Sequence, residues 1–188
     1  MGRRSTPRLA RVRHGSTPGF VRHRPIADLP FIAVSRAKLP PISEIPRHPP
    51  MELSARKAVV HRFYADVWNK HDKSAIPSLL QPDFTFRGSL GQCKTGHSEF
   101  ADYVDFVHQA LGAYQCDILD LVAENNQCFA RMRFSGTHRG DFFAFKPTGK
   151  MVEWAGAALF TFRDGLVADL WVLGDVHGLL QLLERNSG

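Results

Sequence analysis

From residue 54 to 69 the apolar positions Val60, Phe63, Tyr64, Val67 and Trp68 recur at three- and four-residue spacing, which predicts an amphipathic helix. Asp72 is placed to cap a short second helix through Leu80, which Pro82 stops. Residues 83–90, DFTFRGSL, alternate like a strand. SEFADYVDFVHQALG then puts Phe100, Tyr103, Val104, Val107 and Leu111 on one helical face, with Gly112 as the stop. Four strand patterns follow: 114–124, 127–138, 150–162 and 166–175. Asn125-Asn126 joins the first pair and Asp164-Gly165 the last. A short helix closes the chain over 176–184, with Asp175 at its N-cap. Helices first and a strand meander afterwards predict an α+β fold, helices packed on one face of a curved, mainly antiparallel sheet.

Period-two alternation assigns the faces of that sheet. Cys128, Ala130, Met132, Phe134, Gly136 and His138 share the apolar, helix-facing side, opposite Arg131, Arg133 and Ser135. Trp154, Gly156, Ala158 and Phe160 do the same in the next strand, and Gly156 and Ala158 are expected to leave space there. Trp171 and Leu173 fall on the outer side. The same alternation puts Leu119 and Leu121 beside them, with Arg131, Arg133, Glu153 and Asp169 as a rim. An apolar centre with a mixed-charge rim predicts a homodimer through the outer sheet face.

Composition changes the domain picture. Residues 1–50 hold ten Lys and Arg against two acids, together with nine of the 12 prolines; the rest of the chain is slightly acidic. The net charge of +6 therefore belongs to a tail, and the folded part has no electrostatic claim on a nucleic acid. Residues 1–50 are expected to be a disordered basic tail and 51–188 the domain. Met51 is taken as the true start; an organelle leader and a basic arm for anionic partners stay open. No apolar run is long enough for a membrane span. Cys93, Cys116 and Cys128 lack metal or disulfide spacing and suit a reducing, cytoplasmic setting. His61, His71, His97, His108 and His177 form no metal pattern, so neither metal nor cofactor is expected.

The element order, with GTHRG (136–140), PTGK (147–150), the Asp164-Gly165 hairpin and LWVLGD (170–175), resembles the SnoaL-like polyketide (ester) cyclases of the nuclear-transport-factor-two-like superfamily. The likeness spans roughly 54–184 and implies a cone-shaped barrel whose members often dimerise through the outer sheet face. It also implies an intramolecular aldol ring closure without metal or cofactor, run by an Asp with a helping His. In this sequence the Asp position falls on Val172 and the His position on Ala158. A nearby Gln falls on Gly156, and an Asn or His of the first strand on Phe86. None of these four can remove a proton or stabilise an enolate. His138 falls where such cyclases can also carry a His.

Two classes of function follow. One is a cofactor-independent enzyme on a hydrophobic cyclic or polyketide-like molecule, an ester cyclase or isomerase, with His138 and Asp175 exchanging protons. The other is a small-molecule binding or dimerisation module that has lost the acid/base residues. His138 carries a structural alternative, a hydrogen bond that fixes the 139–149 connection, and Asp175 a purely capping one. Tyr64, Trp68, Phe86, Tyr103 and Trp154 are expected to line one cavity with His138 and to bind the ligand. Core packing is the competing account of those aromatics.

Overall fold

A computed structural model of the chain describes residues 50–89 and 91–188. Helix α1 (Pro50–Arg62) runs into a wider π-helical segment, Phe63–Asn69, where Lys70 N–H donates to Ala65 O at 3.2 Å. That segment turns Phe63, Tyr64, Val67 and Trp68 inward, the stripe read from the sequence. Asp72 caps the next turn through Ser74 N–H (3.0 Å), and a 3-10 turn, Lys73–Ala75, leads into α2 (Ile76–Leu79). Strand β1 (Leu80–Arg87) starts earlier than the pattern suggested and contains Pro82. The missing N–H costs nothing in the ladder, because Pro82 lies in an irregularity between Leu80 and Thr85. A three-residue strand, β2 (Cys93–Thr95), precedes α3 (Gly96–Ala110). Then come β3 (Leu111–Glu124), β4 (Gln127–His138), β5 (Met151–Arg163), β6 (Leu166–Gly174) and α4 (Val176–Ser187).

The six strands form one curved α+β sheet in the order β2-β1-β6-β5-β4-β3. All pairs are antiparallel except β1 with β6, which is parallel. No ladder joins β2 to β3 among the described residues, so the sheet is open where the cone-shaped barrel would close. Gly112 is a strand residue and not a helix stop. The Arg139 side chain crosses it, and a Cβ there would lie 2.8 Å from Arg139 Cδ.

On β4 the alternation holds without a break, and Cys128 through His138 are buried at every second position. On β3 it fails twice. One bulge sits between Gly112 and Gln115, where Ala113 has φ 49°, and another lies at Leu119. The second inserts an extra residue and returns Leu121 to the inner face, opposite Ala130. Leu121 therefore packs against the core rather than joining Trp171 and Leu173 outside. The outer apolar group is instead a cross-strand row of Val122, Phe129, Leu159 and Trp171, which ends with the Arg87 guanidinium 5.7 Å from the Trp171 ring centre. Arg131 and Arg133 pair within their own chain, with Asp120 and Asp117.

Among the described residues no helix is long and apolar enough to cross a membrane. Pro50 already belongs to α1; the expectation for residues 1–49 lies outside the described residues.

Candidate functional site

Helices and sheet leave a recess of ≈ 610 Å³ between them, its solvent-facing mouth included. Each wall follows from a local repeat. The π-helical segment brings Tyr64 and Trp68, four residues apart, and α3 brings Tyr103 and Val107 at the same spacing. Strand β3 contributes Tyr114 and Cys116 from alternate positions, and Phe86, Phe134, Trp154 and Val172 come from the other inner strand faces. Val176 and Leu179, one turn apart on α4, close the recess from the C-terminal side. Phe142 reaches in from the β4–β5 connection. The rings brace one another: Trp68 meets Tyr114 edge-on at 5.6 Å, and Phe134 packs on Trp154 at 5.5 Å.

The polar side-chain groups of this wall are phenols, a thiol, two indoles and the Ser89 hydroxyl; among the described residues no Asp, Glu, His, Lys or Arg lines it. Burial, with Cys116 adding a smaller effect, pushes Tyr103 up to about 12 and raises Tyr64 well above the ordinary phenol range. Burial likewise raises Tyr114 and the Cys116 thiol, which hydrogen-bond to each other. All four therefore stay protonated near neutral pH, as hydrogen-bonding groups without charge. The Tyr64 hydroxyl is buried without a hydrogen-bond partner among the described residues.

The structure brings Tyr64, Trp68, Phe86, Tyr103 and Trp154 to this one recess and leaves His138 and Asp175 off its wall. His138 is on the inner face and fully buried, but at the far end of β4. Its Nδ1 lies 3.2 Å from Thr148 Oγ1, its N–H donates to Lys150 O, and its carbonyl accepts from Gly149 N–H at 2.8 Å. These contacts tie His138 to the 139–149 connection, and its Nε2 is buried without a hydrogen-bond partner among the described residues. Asp175 is exposed, and its carboxylate accepts from Gly178 N–H at 2.9 Å, capping α4. Gly156 does not open space for a ligand: the Phe134 ring occupies it, and a Cβ at 156 would sit 2.4 Å from Phe134 Cε2. Ala158 is fully buried and off the wall.

Sequence reading missed Tyr114, Cys116, Phe134, Phe142 and the two α4 residues as wall members. Phe134 and Tyr114 were within reach, since both fall on inner positions; the α4 contribution had no signal beyond an apolar face. It also missed the ring stack of His71 on His108, with centroids 3.9 Å apart, which lies behind Trp68. Asp105 holds His71 Nε2 at 2.8 Å. Among the described residues no group of three or more His, Cys, Asp or Glu is arranged to hold a metal ion.

An open α+β sheet wrapped around an aromatic recess defines a class, and comparison with known proteins names it. The model of the SnoaL-like polyketide cyclase family matches residues 58–183, so the chain belongs to that family. No curated protein matches it. Among solved structures it is similar to AclR, a candidate hydroxylase from Streptomyces galilaeus (25% identity, TM-score 0.63, 71% of this chain and 87% of that one). It is also similar to a candidate SnoaL-like polyketide cyclase from Jannaschia sp. CCS1 (17%, 0.67, 74% and 97%). A candidate polyketide cyclase from Acidithiobacillus ferrooxidans gives 21%, 0.64, 70% and 96%. Names as different as hydroxylase and cyclase on one fold leave the chemistry to the site.

Proposed function

We propose that this protein binds an uncharged, hydrophobic cyclic or polyketide-like molecule in the aromatic recess and does not carry out the aldol chemistry of the cyclases. One observation carries the reading: among the described residues the wall offers phenols, two indoles, a thiol and a hydroxyl but no carboxylate or imidazole. Neutral phenols can hydrogen-bond a carbonyl, yet with pKa values raised by burial they are poor acceptors of a substrate proton at neutral pH. Family membership supports the kind of ligand; the apolar residues at 86, 156, 158 and 172 favour binding over turnover. A panel of ring ketones, quinones and aryl esters, incubated with the full chain and followed by equilibrium dialysis and mass spectrometry, tests this. Binding with the ligand recovered unchanged is expected. A product formed faster than in buffer would restore the enzymatic reading, an ester cyclase or isomerase.

A second proposal concerns the outer sheet face, for which we take a second copy of the chain as occupant. The row from Val122 to Trp171 crosses four strands; Phe129 within it is 40% exposed, and Leu173 beside it 50%. Arg131 and Arg133 are already neutralised by Asp120 and Asp117, so two identical faces meet without net repulsion. This supports a two-fold contact with an apolar centre.

A further inference from the structure

We infer that Tyr64 orients the ligand, its hydroxyl donating to a carbonyl oxygen of a flat, uncharged ring ketone, quinone or ester held in the recess. The inference rests on the binding reading above and adds one anchoring atom and a direction to it. The carbonyl turns towards the corner between the π-helical segment and β3.

Tyr64 belongs to the wall of the recess and is only 4% exposed. Phe63 and Phe160 meet its ring edge-on at 5.2 and 5.8 Å, so packing sets where the ring points. Asn69, at the end of the same segment, pins that segment to β3 through both backbone groups of Cys116. Its Oδ1 accepts from Cys116 N–H at 2.8 Å, and its Nδ2 donates to Cys116 O at 3.3 Å. The Tyr64 hydroxyl interacts electrostatically with the Cys116 thiol and the Tyr114 phenol, both of them wall groups. Its oxygen therefore lies in the same corner of the recess as those two. Tyr114 and Cys116 are engaged with each other, whereas the Tyr64 hydroxyl has no hydrogen-bond partner among the described residues. A buried hydroxyl left unpartnered is uncommon and costs the fold stability. On the wall of a recess, a ligand oxygen supplies the missing partner.

The chemistry of the corner selects the ligand. A phenol that keeps its proton is a donor, and the acceptor it lacks must come from what enters the recess. Among the described residues no charged side chain lines the recess, so a carboxylate brought here would be desolvated without a counter-charge. A carbonyl oxygen accepts without that cost. The rings of Trp68, Tyr103, Phe134 and Trp154 on the same wall favour a planar ring system attached to it. A hydrogen bond of this kind, exchanged against water, contributes a factor of about three to ten in affinity.

The test uses 9-fluorenone and fluorene, which share a shape and differ by C=O against CH2. Equilibrium dialysis of the full chain gives the ratio of their affinities, which cancels general loss of packing. Tyr64→Phe deletes one oxygen and keeps the ring contacts. In it the fluorenone preference should fall about three- to tenfold relative to wild type. Tyr114→Phe, which removes a hydroxyl already engaged with Cys116, should lower the preference by less. Ligand-free Tyr64→Phe should melt at the wild-type temperature or above it, because the deleted hydroxyl satisfies nothing in the fold. Three results each overturn the inference and leave the pocket reading standing: an unchanged preference, a fall no larger than in Tyr114→Phe, or a Tm lowered by more than about 2 °C. Failure of wild type to bind either compound overturns the pocket reading itself, and the inference with it.

Discussion

The Phe134 ring lies where a side chain at Gly156 would be, with Cε2 only 2.4 Å from the Cβ position. On the other side the Leu173 carbonyl oxygen is 2.9 Å away, so a methyl group has nowhere to go. Gly156→Ala should therefore cost about 1–3 kcal/mol, as overpacked sites do. Thermal melting should show a drop of several degrees. Adding Phe134→Ala removes the clash, so the double variant should fall short of the sum of the two single losses. Additive losses would mean that the two residues do not compete for the same space.

The β4–β5 connection turns through Phe143 and Ala144, both left-handed at φ 49° and 66°, between reciprocal backbone hydrogen bonds of Phe142 and Phe145. A two-residue turn of this kind prefers glycine at its second position. Ala144 is exposed, so Ala144→Gly removes strain of about 1–2 kcal/mol. The greater freedom of the unfolded chain offsets about half of that. A Tm raised by roughly 1–4 °C is expected; a lowered Tm would show that the turn is unstrained.

His108 is squeezed between Trp68 and His71, and its pKa is lowered, first by burial and then by the neighbouring His71 charge. Arg139, which donates to the His108 carbonyl, lowers it further, while a hydrogen bond to the Trp68 carbonyl and the Asp105 charge act in the opposite sense. A histidine depressed in the fold is neutral there while the unfolded chain still takes up a proton. Its linked stability is therefore complete above the unfolded value of about 6.5 and declines as pH falls towards the folded value. Between pH 8 and 5.5 the wild type should lose more Tm than His108→Phe. Asp66, Asp83 and Asp105 have lowered pKa values, so their loss comes at lower pH and does not mask the comparison. Parallel curves would remove His108 as the source.

If the outer row is an interface, Trp171→Glu should convert a dimer to a monomer without loss of the fold. Light scattering of the full chain at tens of micromolar reads this directly. A monomeric wild type ends the dimer proposal.

How much of this was legible depends on where the chain is regular. Strand β4 has no bulge, so its alternation alone placed Cys128 through His138 correctly on the inner face. Strand β3 carries two bulges, and each shifts the side chains by one position, which is why Leu121 was assigned to the wrong face. Parity also gives the face but not the depth along the strand. His138 is inward, yet it sits beyond Gly136 under the 139–149 connection, away from the recess. At Gly156 the sequence shows a missing side chain; only packing shows that Phe134 leans into the gap. Strand β2, with three residues and no periodicity, left no trace. The aromatic wall was readable because Tyr64, Trp68 and Tyr103 lie on helical stripes and Phe86 and Trp154 on strand alternations.

The claim at the centre of this account is that the recess beside Val172 receives a neutral ring-bearing molecule. Equilibrium dialysis of 9-fluorenone against wild type and Val172→Trp, whose indole would fill the recess, tests it most directly. Saturable binding to the wild type is expected, with at least a tenfold weaker affinity in a variant that still melts cooperatively. Absence of saturable binding to the wild type, or equal affinity in the filled variant, would contradict it.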